Sequence, residues 1–455
     1  MAKEKKAAKE LTPEEKLTQA LVPAEEQPYR VPGNWCWTTV SKVSTVITGG
    51  TPSKKFPEYY GNEFPFFKPA DLDTGRHVFE ASEYLSNRGK ESARIIPAHS
   101  TAVCCIGSIG KSGYLEIDGA TNQQINSAIP HFNPLYQYYF MNTEFFVNQL
   151  WAKSSATTIS IVNKAKMEAC YFPLPPLAEQ QRIVDRIESL FVKLDEAKEK
   201  AQAVVDGFEL RRSAILHKAF TGELTEKWRT EHNIEIEKWK KLSFDECIEK
   251  MQNGLAKRTG TDGEKCVVLR LANLLDNGFD TTNLREIMLD EKEIQTYTLH
   301  KDDVIMIRVN GSKDNVGKQL YIAENNGWSF CDHLIRICYK KDFILPQYMV
   351  YFSQHKNYRL YVKDNMISSA GQNTISRKGM ARLKIPIPTL SEQREIIHLL
   401  SRLIGKEQQA KEAAESVLIQ IDIMKKAILA RAFRGELGTN DPDEESAEAL
   451  LKQIL

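Results

Sequence analysis

One stretch of this 455-residue chain carries residue types that could bind a nucleotide. The sequence VCCIGSIGKSGYLEI, Val103–Ile117, places Lys111 and Ser112 after glycines. A phosphate-binding loop needs GxxxxGK followed by serine or threonine, between a strand and a helix. Cys105 stands where the first glycine should be, and the following YLEID predicts a strand, so no helix N-terminus would face a phosphate. We therefore predict a glycine turn between two strands and no ATP site.

A second short motif is close to a base-holding tetrapeptide. The residues NPLY, from Asn133, approach the Asn-Pro-Pro-aromatic sequence of adenine methyltransferases, but Leu135 replaces the second proline and no FxGxG cofactor loop precedes it. Pro134 is therefore expected to start a helix. HExxH, GxSxG and DFG are absent, and no paired carboxylates can be identified from the sequence. The sequence predicts no catalytic, cofactor-binding or metal-binding residue.

The composition is that of a globular chain long enough for two or three domains, with 42% hydrophobic and 27% charged residues. Without an 18-residue apolar run or a signal peptide, we expect a cytoplasmic protein, whose eight cysteines would be buried thiols. The net charge of +1 disfavours a stand-alone DNA clamp, because neutralising phosphates takes a basic excess. It leaves room for a DNA reader that works inside a complex.

Self-comparison reveals an internal repeat. PLPPLAEQQRIV from Pro173 matches PIPTLSEQREII from Pro386, and AILHKAFTGEL from Ala214 matches AILARAFRGEL from Ala427, both with an offset of 213 residues. A weaker match pairs SSATTIS with SSAGQNTIS further upstream. The repeat divides the chain into five segments: a charged extension (1–29), a first body (30–172), a helical spacer (173–240), a second body (241–385), and a second spacer with a tail (386–455).

The two bodies are rich in short apolar or alternating runs separated by Gly, Asn, Asp and Pro, which predicts strands and hairpins in an α+β domain. The second body repeats the glycine-rich stretch as VIMIRVNGSKDNVGKQLYI, from Val304. There Gln319 replaces the serine that would hold magnesium. The glycine loop is therefore expected to belong to the shared architecture of the bodies.

The two spacers read as long helices that begin after a proline-rich stop. Their apolar residues are spaced alternately four and three apart, which is typical of a coiled-coil seam, and only Glu407 interrupts the stripe. We predict an antiparallel coiled coil of about 26 seam residues, roughly 40 Å long. The alternative is that each helix packs on its own body. The seam residues that we assign are Ile183, Ile187, Leu190 and Leu194 in the first helix and Ile396, Leu400, Leu403 and Val417 in the second.

With an entry motif VPGNWCW and two variable bodies, each closed by PxPxLxEQ and a long helix, nearly the whole chain resembles the specificity subunit of type I restriction-modification systems. The resemblance implies two target recognition domains on a pseudo-twofold frame, each reading one half of an interrupted double-stranded DNA site. The paired helices would act as a ruler and dock two methyltransferase subunits, which connect to motor-nuclease subunits. Those other subunits would use S-adenosylmethionine, ATP and magnesium, and this chain would bind no cofactor and catalyse nothing.

Base and phosphate contacts need Arg, Lys, Asn or Gln on accessible loops. Lys54-Lys55 and Lys257-Arg258 are favoured because both pairs follow a glycine turn at comparable points. For any single cation, a solvated surface charge is the alternative. The full set of candidates is Lys54, Lys55, Lys68, Arg76 and Lys111 in the first body, and Lys257, Arg258, Arg270, Arg308, Lys313 and Lys318 in the second.

Two other functions remain open at this point. A coiled-coil adaptor that binds only proteins would share the helices, and a stand-alone DNA methyltransferase is disfavoured by the missing cofactor loop. The chain ends belong to neither repeat. The C-terminal ESAEALLKQIL predicts a short amphipathic helix that could meet the N-terminal extension and close the frame. Disorder is equally plausible for the first dozen residues.

Overall fold

The computed structural model describes residues 12–155, 159–276 and 278–455. The chain folds into two units, one containing residues 1–200 and 416–455 and the other containing 201–415. Each unit therefore combines one predicted body with parts of both long helices. The first dozen residues, apart from Thr12, lie outside the described residues, so the prediction of disorder there stays open.

The helices of the first body and its spacer are short, apart from the last. They are α1 (Pro13–Ala20), α2 (Val40–Val43), α3 (Asn87–Ser92), α4 (Pro134–Met141), α5 (Glu144–Lys153), α6 (Lys164–Glu168) and α7 (Leu177–Asp206). The remaining helices include the longest one. They are α8 (Phe208–Thr221), α9 (Glu226–Glu231), α10 (Phe244–Cys247), α11 (Glu291–Tyr297), α12 (Pro346–Phe352), α13 (Lys356–Asn365), α14 (Arg377–Met380), α15 (Leu390–Ala432) and α16 (Ala447–Ile454).

The strands are mostly three to six residues long. Those of the first body are β1 (Cys36–Thr39), β2 (Ser44–Thr48), β3 (Tyr60–Phe67), β4 (Glu83–Leu85), β5 (Thr101–Cys104), β6 (Ser112–Tyr114), β7 (Ala120–Thr121), β8 (Ile125–Pro130) and β9 (Tyr171–Leu174). Those of the second are β10 (Lys240–Ser243), β11 (Ile248–Asn253), β12 (Glu264–Leu269), β13 (Leu274–Leu275), β14 (Gly278–Phe279), β15 (Arg285–Leu289), β16 (Val304–Ile307), β17 (Val309–Asn310), β18 (Gln319–Tyr321), β19 (Ser329–Phe330), β20 (Leu334–Tyr339), β21 (Ile367–Ser369), β22 (Gln372–Thr374) and β23 (Lys384–Ile387).

The two bodies share one sheet topology. The first has an antiparallel sheet in the order β2-β8-β5-β6, and the second has the equivalent order β11-β20-β16-β18. A smaller sheet, β4-β3-β7 or β15-β12-β19, combines one antiparallel and one parallel pair in both bodies. The first and last strands of each body, β1-β9 and β10-β23, form a further pair. The predicted α+β class and the duplication of the body are confirmed.

Each unit has a core to which both long helices contribute. In the first unit, Phe172 of the body, Ile183 of α7 and Phe433, just after α15, lie in one hydrophobic cluster. In the second unit, Tyr348 of the body lies in one cluster with Phe220 of α8 and Ile396 of α15. A body is therefore completed by the start of the helix that follows it and by the end of the other helix.

Within each unit the helix segments run antiparallel. In the first unit, Lys425 lies 2.5 Å from Asp195 and Lys198 lies 3.9 Å from Asp422, so residue numbers rise on one helix as they fall on the other. The second unit shows the same direction between α8 and α15. There the Arg211 guanidinium donates to Glu407 at 2.6 Å, and the Lys411 ammonium lies 5.0 Å from the centre of the Phe208 ring.

Glu407, which interrupts the predicted apolar stripe, is thus explained by its ion pair with Arg211. Arg211 also donates to the backbone oxygen of Val204, across the break at Gly207 that separates α7 from α8. This break was missed by the sequence reasoning, which carried the first helix through to Phe208. The Arg211 guanidinium therefore connects α8 both to the end of α7 and to the facing helix α15.

The predicted seam residues divide into three groups by burial. Ile183, Ile187, Ile396 and Leu400 are fully buried, but in the cores of their own units beside the bodies, so the alternative of packing on the body holds for the first turns of each helix. Leu190, Leu194 and Leu403 are half-buried. The assignment of Val417 is wrong: its side chain is 43% exposed, while Ala414 and Ile421 are buried and Leu418 is half-buried.

The glutamate of each PxPxLxEQ motif is buried and accepts hydrogen bonds from two other segments of the chain. It thereby connects these segments to the start of its own helix. Glu392 accepts from Thr225 at 2.7 Å, from Arg229 at 2.8 Å and from the Trp239 indole at 2.9 Å. Glu179 accepts from the Trp35 indole at 2.7 Å and from Asn440 at 2.8 Å. A favourable interaction with the helix dipole does not require a glutamate to be buried. These hydrogen bonds therefore explain why a buried glutamate stands at this position.

The neighbouring glutamine has a matching role in both units. Gln180 donates to the Pro175 carbonyl at 2.9 Å and accepts from the Asn133 backbone N–H at 3.1 Å. Gln393 does the same with Pro388 and Leu345. Asn133 and Leu345 precede the prolines that open α4 and α12. The prediction that Pro134 starts a helix is confirmed. The motif therefore holds α4 or α12 of a body against the start of the long helix that follows that body.

The first and last described helices meet in the first unit. Helix α1 packs beside α16, Lys452 lies 2.6 Å from Glu14, and Ala20 and Leu451 are buried in the same cluster. The predicted C-terminal helix is confirmed. Among the described helices, none combines the length and apolarity needed to cross a bilayer.

Candidate nucleic-acid interface

The antiparallel order of the main sheet brings several loops of the first body to one edge. The chain leaves β2 and β5 and enters β8 and β6 at this edge, so residues 49–55, 105–111 and 122–124 lie together. The Gly49 N–H donates to the Ile125 carbonyl at 2.9 Å, and the Cys105 N–H donates to that of Gln124 at 2.7 Å. We call these three segments the loop edge of the first body.

The loop edge of the second body consists of residues 254–258, 308–318 and 331–333. The Gly254 N–H donates to the Leu334 carbonyl at 3.0 Å, and the Arg308 N–H donates to that of His333 at 2.8 Å. Lys54, Lys55 and Lys111 therefore lie at one loop edge, and Lys257, Arg258, Arg308, Lys313 and Lys318 lie at the other. The structure brings together residues that are up to 61 positions apart in the sequence.

The glycine-rich stretches form β-hairpins in both loop edges, as predicted, with β6 and β18 following where a nucleotide-binding loop would have a helix. Gly110 has a φ of +89° and Gly317 of +78°. A Cβ there would lie 2.7 Å from the side chain of Val147 or 2.9 Å from that of Val362. Only glycine fits both the left-handed backbone and the close packing, so these hairpins are held in one shape against α5 and α13.

The candidates of the first body differ in how firmly they are held. Lys54 and Lys55 are exposed in a turn, and within the described residues neither ammonium has an acidic partner. Lys111 lies 2.6 Å from Asp73 and Lys68 lies 2.9 Å from Glu83. Ion pairs at such accessible positions contribute about 0–1 kcal/mol, so a phosphate can compete for these lysines.

Arg76 lies away from the loop edge, toward the start of α7. Its guanidinium donates to Glu116 at 2.8 Å and to Glu188 of α7 at 3.3 Å, and it lies 4.6 Å from the Tyr114 ring centre. Burial works to lower the pKa of Arg76, but the hydrogen bond and charge of Glu188 outweigh it and the pKa is raised. This residue joins the body to the helix, a role that fits its contacts better than a contact with nucleic acid.

Three of the six candidates of the second body, Lys257, Arg258 and Lys318, are paired with carboxylates at the surface. Lys257 lies 2.7 Å from Glu293, and its hydrogen bond holds the pKa of that carboxyl below its usual value. Lys318, at 2.8 Å from Asp276, lowers the pKa of Asp276 in the same way. Arg270 donates to the Asn283 carbonyl at 2.9 Å. These side chains are positioned at the surface without being buried.

Arg308 and Lys313 have no acidic partner among the described residues. Lys313 is exposed, while Arg308 lines a pocket of about 180 Å³ together with Asn253 and Arg377. Beside them, Cys331, Asp332 and His333 bring possible metal-ligand atoms within 4.8 Å of one another. The Arg258 guanidinium lies 2.7 Å from the Asp332 carboxylate, so the carboxylate of this cluster already has a cationic partner.

Sequence reasoning missed a polar ribbon beside each glycine hairpin. In the second body, β21 and β22 form a hairpin that pairs with β17. In the first body, Ser155 and Ile106 both bridge to Ile161 in the same arrangement, with residues 156–158 outside the described residues. The weak match between SSATTIS and SSAGQNTIS was the signal that could have found this element.

Comparison with known proteins identifies the class. The sequence model of the protein family described as the type I restriction modification DNA specificity domain matches residues 32–204 and 237–416. The chain belongs to this family of type I specificity subunits, which confirms the resemblance seen in the sequence.

Two curated relatives match over most of both chains. The specificity subunit of the type I restriction enzyme StySPI from Salmonella potsdam is 30% identical, covering 93% of this chain and 96% of the relative. That of EcoKI from Escherichia coli K12 is 27% identical, with the same coverage of both chains.

Solved structures share the fold. A chain from a study of complex assembly and conformational transition of the type I R-M system aligns with a TM-score of 0.68 at 18% identity, covering 90% of this chain and 100% of that chain. The HsdS subunit from Thermoanaerobacter tengcongensis aligns with a TM-score of 0.58 at 19% identity and the same coverage.

Proposed function

We propose that this chain is the DNA-recognition and scaffold subunit of a type I restriction-modification complex, reading a bipartite, interrupted double-stranded site. The observation that carries the proposal is that two bodies of one topology present different cationic loops at equivalent edges. Lys54-Lys55 in one body corresponds to Lys257-Arg258 in the other. Two bodies with the same sheet topology but different loop residues are suited to two half-sites of different sequence.

The long helices serve in this proposal as an antiparallel coiled-coil spacer of a pseudo-twofold frame. Support comes from the antiparallel ion pairs found within each unit. A helical spacer fixes the number of base pairs between the half-sites, because its length changes by 1.5 Å per residue.

Inserting four residues into each long helix, at facing positions, should widen the gap between the half-sites by one or two base pairs. Four residues add about 6 Å of helix, and base pairs rise by about 3.4 Å. A four-residue insertion is tolerated as a local change of supercoil. Motif mapping of the methylated DNA measures the gap, and an unchanged gap in a folded, active variant contradicts the ruler.

The spacer also docks two methyltransferase subunits in this proposal, and through them the motor-nuclease subunits. Exposed apolar side chains on the helices support a protein partner: Val192 is 57%, Ile419 61% and Ile423 53% exposed. S-adenosylmethionine, ATP and magnesium would be used by those other subunits, with this chain supplying recognition alone. In this proposal the chain acts on cellular DNA in the cytoplasm.

Replacing both Lys54 and Lys55 with alanine should weaken binding to all duplexes alike and reduce the dependence of affinity on salt. Each lost phosphate contact lowers the slope of log K against log salt by about 0.9. Titrations of the complex at several salt concentrations measure this slope. Lys42→Ala is the matched control, because Lys42 lies on α2, before β2 and at the other end of that strand from the loop edge. Equal slopes for the two variants contradict the assignment.

Selection from a random duplex library tests recognition itself. The chain, combined with the methyltransferase subunits of its own system, should retard duplexes that share two short motifs at a fixed distance. Retention of partners without any preferred duplex would favour a protein-only adaptor and contradict the proposal.

A further inference from the structure

The second body carries an exposed two-stranded ribbon, which is attached to the rest of the body by the pairing of β22 with β17. Strands β21 and β22 pair as Ile367 with Thr374, Ser368 with Asn373 and Ser369 with Gln372. Every residue from 367 to 372 is exposed, and the Ile367 side chain is 70% exposed. Exposed edges with apolar residues are usually avoided in proteins because they invite aggregation, so their presence points to a binding partner.

The ribbon is held in one conformation. Its two tip residues, Ala370 and Gly371, have φ angles of +48° and +76°, as a tight two-residue hairpin turn requires. At its base the buried Asn373 amide donates to the Gly311 carbonyl at 2.8 Å and accepts from the Ser368 hydroxyl at 2.6 Å. The ribbon is thereby fixed to the glycine hairpin of the loop edge, as an element that must present side chains needs to be.

The surroundings of the ribbon suit nucleic acid. The Ile375 N–H, directly after β22, donates to the Arg308 carbonyl at 3.0 Å, which places Arg308 at the ribbon base. Arg308 and Arg377 line the pocket there with Asn253 and Ser376. A B-DNA major groove is about 12 Å wide and admits a two-stranded ribbon, and guanidinium groups bind phosphates or guanine edges.

We infer that the ribbon Ile367–Thr374 enters the major groove of the second half-site and that Gln372 reads a base edge there. This inference rests on the proposed function, which it deepens by naming the reading element. Gln372 is exposed next to the tip, and glutamine pairs with the N6 and N7 atoms of adenine. The adjoining Ser369, opposite Gln372 in the ribbon, adds a second polar group.

Methylation of a randomised duplex library by the whole complex tests the inference. Gln372→Ala should reduce the preference at one base pair of one half-site roughly ten- to hundredfold and leave the other half-site unchanged. Gln372→Glu should shift that position toward cytosine, because a carboxylate accepts from the cytosine amino group. A changed preference is a result that misfolding cannot produce. Gln295→Ala, an exposed glutamine on α11 of the same body, is the matched control.

The outcomes separate the two proposals. A wild-type complex without any preferred motif contradicts both the proposed function and the ribbon. A wild-type motif that stays unchanged in both Gln372 variants overturns the ribbon alone. A uniform loss of methylation on all duplexes, with no change in preference, also overturns the reading role.

Discussion

Replacing Glu392 with alanine is expected to lower the free energy of unfolding of the second unit by about 3–5 kcal/mol, because a buried charge loses its partner. The Glu392 side chain is fully buried and that of Arg229 is 8% exposed. Without the carboxylate, the buried Arg229 guanidinium loses its charged partner and keeps only the Thr225 hydroxyl as an acceptor, and the half-buried Trp239 indole loses its acceptor. Urea denaturation followed by tryptophan fluorescence measures the change.

Two comparisons make this result specific. Glu412→Ala, an exposed glutamate on the same helix, should change the stability by less than about 0.5 kcal/mol. In an Arg229→Met background, Glu392→Gln should cost clearly less than Glu392→Ala does in the wild-type protein, since no buried cation is left unpaired. Equal losses of unfolding free energy for Glu392→Ala and Glu412→Ala would contradict the claim that the motif glutamate connects these segments.

The second large effect is expected for Phe433→Ala, which should destabilise the first unit by about 3–5 kcal/mol. Phe433 follows α15 near the end of the chain and is 1% exposed. Its ring centre lies 5.0 Å from that of Tyr136 and 5.3 Å from that of Phe140, both in the first body. Removing the ring leaves a cavity in a core built from residues that are 293 and 297 positions apart.

Hydrogen exchange locates this effect. The amides of β5 and β8 in the first body should lose protection in Phe433→Ala. Ile419→Ala should leave them unchanged, because Ile419 is 61% exposed on α15, the helix that precedes Phe433. Unchanged protection of the first body in Phe433→Ala would mean that the C-terminal segment is not part of its core.

The sequence allowed the repeat, the strand-rich bodies and the long helices to be predicted because each leaves a local pattern. The seam was harder, because a heptad stripe does not show which face meets the partner helix and which meets the body. Ile183 and Ile396 follow the stripe yet are buried beside the bodies, while Val417 follows it and is exposed. The partner of Glu407 could not be predicted either, because the sequence predicted antiparallel helices but not the register that places Arg211 opposite Glu407.

The site was predictable at the level of segments rather than of contacts. Lysines beside glycine turns are visible in a sequence, and the structure places them on shared loop edges. That Arg76 is held by Glu188 depends on tertiary packing between the body and α7, which has no local signature. In the sequence, the ribbon at Ile367–Thr374 was visible only as a weak repeat. That it forms an exposed hairpin depends on the tertiary pairing of β22 with β17, which leaves no local pattern.

Modified-base sequencing of the host genome, with and without this gene, tests the central claim most directly. The account predicts that deletion removes N6-methyladenine from one interrupted, two-part motif and from no other sequence. Methylation that persists at every motif after deletion, in a host whose methyltransferase subunits are expressed, would contradict the claim that this chain selects the site.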